Sequence, residues 1–572
     1  MLEVIKHRTQ FCVIGGGLAG MCAAVAAARH GVKTVLIHER PVLGGNASSE
    51  VRMWVCGTPG LNETGIIEEL RLENLYRNTN PSYSVWDSIL YEKVRFQENL
   101  TLLLNCSCQD AVCENGVIKS VKGYQQTTQT YHEVEADFFA DCSGDSILIP
   151  LTGAEYRWGR EEKSEFNETL AQETPDRKTM GLSCILQARE TDSPKKFIPP
   201  SWAYSYPDEA SLPPRDHEMC RTQNYWYLEL GGDRDTIRDT EEIRDELLKV
   251  AFGFWDHLKN HGDHGLENWV LDWVGFLPGK RESRRYVGDY ILSENDILSG
   301  RIFEDAVAYG GWPVDDHHPD GFNHKGEPNL CIRLEKPYTI PLRSLYSANI
   351  SNLFCAGRNI STTHVALSSS RVMATCALLG QAVGTAVWYA VENKCSTNRE
   401  TAQKYAKAIQ QTLLDDDCTL PGFRREISEL CRKSALSSSN GACPEALRNG
   451  IDRVMGEEKN SWTCRAGESV EYSLPEKTFV SEIRLAFDSD LSRDHLNMVS
   501  NYTLVPALYT PPETLVQGFH VEIDGEVIHT EKENHSRFVV LPCNRKCSSV
   551  KLVIDALAPG REAAQLFRFD FR

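Results

Sequence analysis

Three glycines and one glutamate near the N-terminus have the types and spacing that bind a nucleotide pyrophosphate. Gly15, Gly17 and Gly20 fit the pattern G-x-G-x-x-G. In this pattern one glycine makes a tight turn, one lets a pyrophosphate approach the backbone, and one packs a helix against a strand. Glu39 follows about 20 residues later, where an acidic side chain accepts hydrogen bonds from an adenosine ribose. Together these residues predict a dinucleotide site.

A strand, a helix and a second strand must position these residues. An apolar run at residues 11–14 precedes the glycines, an Ala-rich stretch extends to His30, and a second apolar run at residues 32–37 leads to Glu39. The N-terminus of such a helix offers unpaired N–H groups and the positive end of its dipole to a phosphate. The pattern predicts the first part of a Rossmann-type α/β domain.

A second glycine pair, Gly44 and Gly45, follows the predicted ribose-binding acid and precedes Ser48 and Ser49. A second close approach of the backbone suits a long, extended dinucleotide, and serine hydroxyls can donate to its phosphate or ribose. FAD proteins of the glutathione-reductase and fumarate-reductase type have this arrangement. In the disulfide reductases a cysteine pair follows the glycines, whereas here Cys56 stands alone, so no dithiol relay is expected.

Two later segments are predicted to return to the same cofactor. Residues 140–146 are predicted to form an apolar strand that runs into a turn rich in Asp and Gly, and residues 352–359 are predicted to form a strand that ends in a turn. Three serines at residues 368–370 are expected to cap a helix of small residues over 371–385. The N-terminus of this helix would face the O2 and N1 edge of a flavin and stabilise the negative charge of its reduced form.

These segments resemble the FAD-dependent oxidoreductase family that is distantly related to fumarate reductase flavoproteins. The resemblance rests on the two glycine turns, Glu39, residues 141–145, residues 280–290 and residues 356–371. It implies FAD and redox chemistry without a defined substrate. The residues predicted to bind FAD are Gly15, Gly17, Leu18, Ala19, Gly20, Glu39, Arg40, Gly44, Gly45, Asn46, Ser48, Ser49, Arg52, Cys108, Ser143, Gly144, Asp145, Gly357, Arg358 and Arg371.

A flavin performs hydride transfer itself, so the protein must position a donor carbon over N5 and supply an acid or a base for the proton. His364 is the leading catalytic candidate, because it lies between the turn after residue 355 and the predicted flavin-edge helix; a structural role is the alternative. Arg284 and Arg285 could hold a substrate carboxylate or hydroxyls by paired hydrogen bonds. They could equally pair with Glu282 and Asp289.

Two aspartates and two histidines stand in a row at residues 315–318. Such a row could contain a general base pair or metal ligands, or it could be exposed loop charge. His318 is predicted as a further catalytic candidate, and no metal ion is predicted.

Charge and composition limit the classes of partner. The 572 residues carry 61 Lys and Arg against 80 Asp and Glu, a net charge of -19, which opposes nucleic-acid binding. No run of 18 apolar residues predicts a membrane span, and no apolar signal core precedes the first strand. The 19 cysteines form no C-x-x-C pair, so we expect free thiols in a reducing compartment and a cytoplasmic protein.

The chain is too long for one core, since single cores stop growing at about 250–300 residues. The predicted fold class is α/β. A glutathione-reductase-type Rossmann FAD-binding domain is expected in two parts, residues 1–150 and 347–395, with an inserted α+β substrate domain at 151–346. A helical segment and linker at 396–460 would lead to a C-terminal β-sandwich at 461–572, which resembles discoidin-like jelly rolls more weakly.

Local patterns predict further elements. Apolar positions with helical period predict helices over 63–77 and 89–96, and Thr240 is expected to cap a helix over 241–258. Asp524 and Gly525 lie between two alternating segments and predict a two-residue β-hairpin.

The sequence leaves three functions open. The first is an FAD enzyme that oxidises or reduces a small hydroxylated molecule, with sugars and polyols as the expected class, because tryptophans in residues 151–346 could stack on sugar rings. The second is a fumarate-reductase-like reduction of an activated C=C bond, in which His and Arg grip carboxylates. The third is a non-catalytic glycan-binding flavoprotein. The sequence defines neither the electron acceptor nor the oligomeric state.

Overall fold

The computed structural model describes residues 2–215, 217, 225–493 and 510–572, which fold into two compact units. The first unit contains the residues up to Thr58 together with Pro81–Ile409; the second contains Pro59–Asn80 and the described residues from 410 onward. Residues 59–80 were predicted to belong to the N-terminal domain, but they lie in the second unit. Residues 151–346, predicted as a separate domain, share the first unit with the predicted Rossmann residues.

The bounds of the helices and strands follow in chain order. The helices are α1 Leu18–Arg29, α2 Ile66–Arg77, α3 Tyr83–Arg95, α4 Leu148–Thr152, α5 Lys163–Phe166, α6 Thr240–Asn260, α7 Glu294–Ser299, α8 His364–Ser370, α9 Met373–Glu392, α10 Asn398–Asp415 and α11 Glu429–Lys433. The strands are β1 Val4–Arg8, β2 Phe11–Ile14, β3 Thr34–Ile37, β4 Leu100–Leu103, β5 Cys106–Glu114, β6 Val117–Gln125, β7 Thr130–Glu135, β8 Phe138–Asp141, β9 Tyr156–Arg157, β10 Leu182–Ser183, β11 Leu186–Glu190, β12 Glu229–Leu230, β13 Trp269–Val274, β14 Gly279–Lys280, β15 Arg285–Tyr286, β16 Ala306–Gly310, β17 Val314–His317, β18 Asn329–Ile332, β19 Tyr338–Pro341, β20 Leu353–Cys355, β21 Ala435–Ser438, β22 Trp462–Cys464, β23 Ser469–Phe487, β24 Gly518–Ile523, β25 Glu526–Glu531, β26 Phe538–Ala556 and β27 Ala564–Phe571.

A parallel five-stranded sheet lies at the centre of the first unit, with the order β20-β8-β2-β3-β4. Every residue of β2, β3, β8 and β20 is buried, as expected for strands of a parallel sheet that is covered on both faces. Because the strands are parallel, the turns after β2, β8 and β20 all leave the same edge. The predicted cofactor segments therefore meet at that edge.

Helices α1 and α9 pack closely through small residues. A Cβ added to Gly380 would lie 1.9 Å from the Ala19 carbonyl oxygen, and one added to Gly384 would lie 2.3 Å from the Ala23 carbonyl oxygen. Only glycine permits this approach of two backbones. Among the described helices, one, α9, is long and apolar enough by composition to cross a bilayer, and 83% of its most apolar window is buried inside the fold.

The predicted helix over 371–385 begins differently from the expectation. The chain forms α8, breaks at Arg371 and Val372, and then forms α9, so Val372 is the N-cap residue of α9 and no side chain caps it. The expected serine cap is wrong, because the three serines lie inside α8. Thr363 instead caps α8 by accepting from the Ala366 N–H.

The remaining elements of the first unit are small. Strands β5, β6 and β7 form an antiparallel meander, and β1, which was not predicted, pairs with β7 in parallel. The helix predicted over 241–258 is α6. Asp239 is its N-cap residue, and the Thr240 hydroxyl donates back to the Thr236 carbonyl at 2.8 Å, so the expected Thr240 cap is wrong.

The second unit contains an antiparallel sheet with the strand order β22-β27-β23-β26-β24-β25, and β21 also pairs with β23. Strand β21 forms where a linker was expected, so the sheet begins before residue 461. Asp524 and Gly525 both have positive φ, 50° and 81°, and connect β24 to β25. The hairpin prediction is confirmed, because a two-residue turn of this kind needs left-handed backbone at both positions.

Candidate functional site

The glycine turn after β2 is closed by contacts that exclude a side chain. Gly15 has φ 101°, and a Cβ there would lie 2.4 Å from the Cys142 carbonyl oxygen. A Cβ on Gly20 would lie 1.8 Å from the Gly15 carbonyl oxygen. Leu18 and Ala19 are the first two residues of α1 and are buried. No side chain caps the N-terminus of α1, so its first N–H groups face the turn.

Gly17 and the second glycine pair face each other across open space. The Gly44 N–H donates to the Gly16 carbonyl at 2.9 Å, and Gly17 and Gly44 form an isolated parallel bridge. A Cβ added to Gly17 would meet only the Gly45 Cα, at 3.9 Å. The two turns thus form a groove lined by backbone at the N-terminus of a helix, the arrangement that binds a pyrophosphate.

His38 fixes the approach to this groove. The Gly16 N–H donates to His38 Nδ1 at 2.9 Å, so Nε2 carries the proton and donates to the Val42 carbonyl at 2.9 Å. Glu39 follows at the end of β3 with 43% of its side chain exposed, and Arg40 Nε lies 3.6 Å from its Oε1. The exposed Glu39 carboxylate is therefore placed to accept from a ribose.

The polar residues after the second glycine pair are mostly committed to the protein itself. The Ser48 hydroxyl is buried and donates to the Gly45 carbonyl at 2.7 Å, and the Ser49 N–H donates to Asp87 at 3.1 Å. Asn46 Nδ2 donates to the Lys280 carbonyl at 3.2 Å. These bonds hold the turn in shape, and they use the Ser48 hydroxyl that was predicted to donate to phosphate or ribose.

Arg52 lies between two aromatic rings. Its guanidinium carbon is 4.9 Å from the Tyr83 ring centre and 4.3 Å from the Trp273 ring centre, and its Nη1 donates to Gln187 Oε1 at 2.6 Å. Burial lowers the pKa of Arg52. The side chain is a desolvated cation that is held by π faces and an amide.

Asp145 joins three segments at the sheet edge. Its carboxylate accepts from Arg358 Nη2 at 2.6 Å, from Lys280 Nζ at 2.6 Å and from the Ser283 hydroxyl at 2.9 Å. Burial raises the pKa of Asp145, but the charges of Arg358 and Lys280 outweigh it and hold the pKa well below its usual range. The Arg358 guanidinium also covers Gly144, whose Cβ would lie 3.1 Å from Nη2.

Asp141 and Ser143 shape the turn after β8. Asp141 accepts from the Ser143 N–H and hydroxyl at 3.0 and 2.6 Å, and its second oxygen accepts from the Tyr286 hydroxyl at 2.7 Å. Burial raises the pKa of Asp141. Gly357, in the turn after β20, has φ 115° and approaches Ala19, so the turns after β8 and β20 reach the first glycine turn.

The N-terminus of α9 has unsatisfied polar groups. Arg371 Nη2 donates to the Asp315 carbonyl oxygen and to Asp315 Oδ2, both at 3.0 Å. The Arg371 Nε and the Thr375 hydroxyl are buried and find no hydrogen-bond partner among the described residues. Unpartnered donors at an uncapped helix N-terminus are what the edge of a bound flavin would satisfy.

His364 is the first residue of α8 and is buried between two carboxylates. Nδ1 lies 2.9 Å from Glu282 Oε2, and Nε2 lies 3.0 Å from Asp316 Oδ1. Burial lowers the pKa of His364, but the two carboxylates outweigh it and raise the pKa to about 10. His364 is therefore an imidazolium at neutral pH, with both N–H groups committed, and it cannot act there as a general base.

The predicted arginine pair divides. Arg285 is buried and pairs with Glu282 and, at 2.8 Å, with Glu161. The sequence raised ion pairing as the alternative to substrate binding, with Glu282 and Asp289 as the partners. In the structure Arg285 contacts Glu282 and Glu161. Arg284 Nη1 donates to the Asp145 carbonyl at 3.4 Å, next to the Asp145 cluster.

His318 lies apart from the His364 pairings. Its ring stacks on His324 at 3.6 Å, and its Nδ1 accepts from the Asp320 N–H at 3.2 Å. Within the described residues no hydrogen bond or ion pair joins it to His364. The neighbouring His317 instead contacts Glu229, with 2.6 Å between His317 Nδ1 and Glu229 Oε2.

Cys108 lies in β5 and is buried. Burial, together with the negative charge of Asp141, raises its pKa to about 12. Its side chain is therefore a neutral thiol, and the described cysteines are all free. Cofactor contact by Cys108 stays a prediction.

Sequence reasoning missed several partners in these pairings. Glu282 was raised only as a partner of the arginines, Asp316 only as part of the row at residues 315–318, and Glu161 was not singled out. No local signal marks the contacts of Glu282 and Asp316 with His364 or of Glu161 with Arg285, because each joins residues more than 40 positions apart. Glu161 precedes Arg285 by 124 residues.

Comparison with known proteins decides the family. The family model described as FAD dependent oxidoreductase matches residues 10–413, which is more than half of the chain. The chain belongs to this family. It is an FAD-dependent oxidoreductase and FAD is its cofactor, in agreement with the backbone groove, the exposed acid after β3 and the uncapped N-termini of α1 and α9. The search of curated proteins gave no match.

Three solved structures match this chain at low sequence identity. p-Nitrophenol 4-monooxygenase PnpA from Pseudomonas putida DLL-E4 is 11% identical, with 72% of this chain and 87% of that chain covered and a TM-score of 0.31. A geranylgeranyl bacteriochlorophyll reductase-like protein from Thermoplasma acidophilum is 11% identical, with 71% and 84% covered and a TM-score of 0.30. L-proline dehydrogenase from P.horikoshii is 19% identical with a TM-score of 0.17; the match covers 25% of this chain and 24% of that chain.

Proposed function

We propose that this FAD-dependent oxidoreductase transfers hydride between the flavin and a small hydroxylated substrate, with sugars and polyols as the expected class. When bound, FAD supplies the hydride acceptor or donor at N5. The chain must hold the substrate and handle the accompanying proton. The observation that supports an uncharged, hydroxylated substrate is the pairing of charges around His364 and His317.

The arginines near these two histidines are already neutralised by carboxylates. An arginine held in this way offers little net charge to a substrate carboxylate, because separating the pair would leave a buried carboxylate without compensation. The pairing therefore favours a substrate that carries hydroxyls in place of carboxylates. The pairs are Arg285 with Glu282, Arg281 with Glu229 at 3.3 Å, and Arg371 with Asp315 at 3.0 Å.

Asp316 is the residue best placed to receive a substrate hydroxyl. Its side chain is 19% exposed. Burial raises its pKa, but the charge of His364 and the hydrogen bond from it outweigh burial and lower the pKa. An ionised carboxylate accepts hydrogen bonds from hydroxyl groups. In the proposed oxidation Asp316 accepts the hydroxyl proton as the substrate carbon gives up hydride, and the His364 cation positions this carboxylate.

Anaerobic mixing of the purified flavoprotein with a panel of sugars and polyols tests this function. We expect at least one compound to bleach the flavin absorbance. Asp316→Asn should slow bleaching by about 10²-fold or more, the usual contribution of a positioned base, and should keep its FAD. Asp320→Asn is the matched control, because Asp320 is 52% exposed and lies beside His318. Equal bleaching rates for Asp316→Asn and the wild type would remove Asp316 from the mechanism.

Reduction of an activated C=C bond is the second candidate, and Arg52 favours it. Among the described residues no carboxylate lies within ion-pair distance of the Arg52 guanidinium, which leaves this cation able to hold a substrate carboxylate. The same panel separates the two functions. Reoxidation of the reduced enzyme by unsaturated acids, together with no bleaching by any hydroxylated compound, would overturn the first proposal.

Glycan capture by the antiparallel sheet of the second unit is the third function raised from the sequence. Isothermal titration of the full chain with neutral oligosaccharides tests it separately from redox activity. The family assignment supports an enzyme, so glycan capture would be an added property of the same chain.

A further inference from the structure

Three histidines and one glutamate converge in the first unit, outside the site described above. One ligand atom from each side chain lies within 4.8 Å of the other three. His257 is buried near the C-terminal end of α6, and Glu209, 48 residues earlier, is exposed. The four residues are Glu209, His217, His257 and His264. We name this group the His₃Glu cluster.

The distances within the His₃Glu cluster are close to those between ligand atoms around one zinc ion. Zinc binds imidazole nitrogen and carboxylate oxygen at about 2.0–2.2 Å, and a regular tetrahedron of that radius has edges of about 3.3–3.6 Å. Three ligand atoms form one triangle, in which His257 Nε2 lies 3.2 Å from Glu209 Oε1, His264 Nε2 lies 3.3 Å from the same oxygen, and the two Nε2 atoms lie 3.1 Å apart. His217 Nδ1 lies 3.3 Å from the other carboxylate oxygen, Glu209 Oε2.

The orientation of His257 is that of a metal ligand. Its Nδ1 lies 2.8 Å from the Tyr206 carbonyl oxygen, which can only accept, so Nδ1 carries the proton. In the neutral ring Nε2 then presents its lone pair to the centre of the cluster. Histidines that bind metals usually donate their other ring N–H to a carbonyl or carboxylate in this way, which fixes the tautomer and the ring orientation.

We infer that the His₃Glu cluster binds one Zn²⁺. Imidazole nitrogens select transition metals over Mg²⁺ and Ca²⁺, which prefer all-oxygen sites, and tetrahedral geometry with N and O ligands selects zinc. Four protein ligands leave no open position, which is the arrangement of a structural zinc site. The ion is therefore separate from the redox reaction.

The zinc ion joins the segment around residues 206–217 to α6. The His217 ring packs edge-on against Phe254 of α6, with 5.5 Å between the ring centres. His217 also accepts from the Tyr225 hydroxyl through its carbonyl at 3.2 Å. Phe254 and Tyr225 belong to one buried aromatic cluster. The ion thus holds Glu209 and His217 against the core under α6.

Metal analysis of the purified full-length flavoprotein tests this inference. We expect one zinc per chain after dialysis, and zinc-edge X-ray absorption with three nitrogens and one oxygen at about 2.0–2.1 Å. His257→Gln combined with His264→Gln should lose the zinc. Glu209→Gln should weaken zinc binding by at least 10-fold in a competition with a chelator, and it should fold normally because Glu209 is exposed.

His261→Gln is the matched control. His261 follows α6 and pairs with Asp256 at 3.1 Å, outside the cluster, so this variant should keep one zinc per chain. Bound FAD, measured by absorbance, checks folding in each variant independently of zinc. A wild-type protein without zinc that stays metal-free after incubation with Zn²⁺ would overturn the inference. So would equal zinc content in wild type and Glu209→Gln under chelator competition, or one equivalent of another metal in place of zinc.

Discussion

His364 contacts a carboxylate with each ring nitrogen, and this double pairing sets its protonation state. Its pKa in the folded protein is raised to about 10, against about 6.5 in the unfolded chain. A raised folded pKa means that the stabilisation is fully present below about pH 6.5 and is lost as pH rises through 10. The stability that protonated His364 provides therefore decreases as the pH becomes alkaline.

We predict that His364→Gln destabilises the protein by about 3–5 kcal/mol at pH 6–7, because it leaves Asp316 without its cation and Glu282 with Arg285 alone. The difference in free energy of unfolding between wild type and variant should be largest near pH 6 and should shrink toward pH 10. Urea unfolding at a series of pH values measures it.

His318→Gln is the control for His364, since His318 is 38% exposed and lies outside the pairing. We expect its effect to stay within about 0.5 kcal/mol, as for other surface substitutions. A His364→Gln difference that stays constant from pH 6 to pH 10 would contradict the assigned protonation state. His364 positions Asp316 and does not itself take the substrate proton. We therefore expect any activity lost in His364→Gln to result from the loss of an ordered Asp316.

The first glycine turn contains two glycines with different roles. A Cβ on Gly17 meets only open space beside Gly45, whereas a Cβ on Gly20 would collide with the Gly15 carbonyl oxygen. A side chain at position 17 would therefore interfere with the ligand, whereas a side chain at position 20 would disrupt the contact between β2 and α1.

We predict that Gly17→Ala folds with an unchanged apo melting temperature but binds FAD at least 10-fold more weakly, because the added methyl group occupies the groove. Gly20→Ala should lower the melting temperature of the apoprotein, since overpacking of this kind costs about 1–3 kcal/mol. Thermal unfolding of FAD-free protein and fluorescence titration with FAD measure the two effects. Equal FAD affinity in wild type and Gly17→Ala would show that the pyrophosphate lies elsewhere.

The elements that the sequence predicts well are those set by neighbouring residues. The turn at Asp524 and Gly525 and the glycine turn after β2 follow from backbone conformations that few residue types adopt. The break between α8 and α9 has no such signal, because Thr363 and Val372 replace the expected serine cap. The His364 contacts with Glu282 and the Glu209 contacts with His257 depend on residues 82 and 48 positions apart, which local patterns do not report.

At the scale of the whole molecule, α2 belongs to the second unit although it comes early in the chain. Glu68 of α2 is buried, and its carboxylate accepts from Arg493 Nη2 at 2.8 and 3.0 Å and from the Ser489 hydroxyl at 2.8 Å. Tyr76 stacks on His535 with 4.0 Å between the ring centres. The second unit is therefore incomplete without residues 59–80.

We predict that Glu68→Gln destabilises the second unit by about 3–5 kcal/mol, because Arg493 then becomes a buried cation without its partner. Limited proteolysis and urea unfolding followed by fluorescence measure the loss. Glu476→Gln is the control, since Glu476 is exposed on β23 and should leave stability within about 0.5 kcal/mol of the wild type. A stable fragment of residues 410–572 made without residues 59–80 would contradict the assignment of α2 to this unit.

The early position of α2 also has a consequence during synthesis. The ribosome must add the 329 residues between Asn80 and Gln410 before the partners of α2 begin to emerge. At about 5–20 residues per second, this takes about 15–65 s. During that interval the apolar face of α2, which contains Ile66, Ile67 and Leu70, stays unburied because its partners have not yet been synthesised. We expect this stretch to be where cotranslational chaperones bind first.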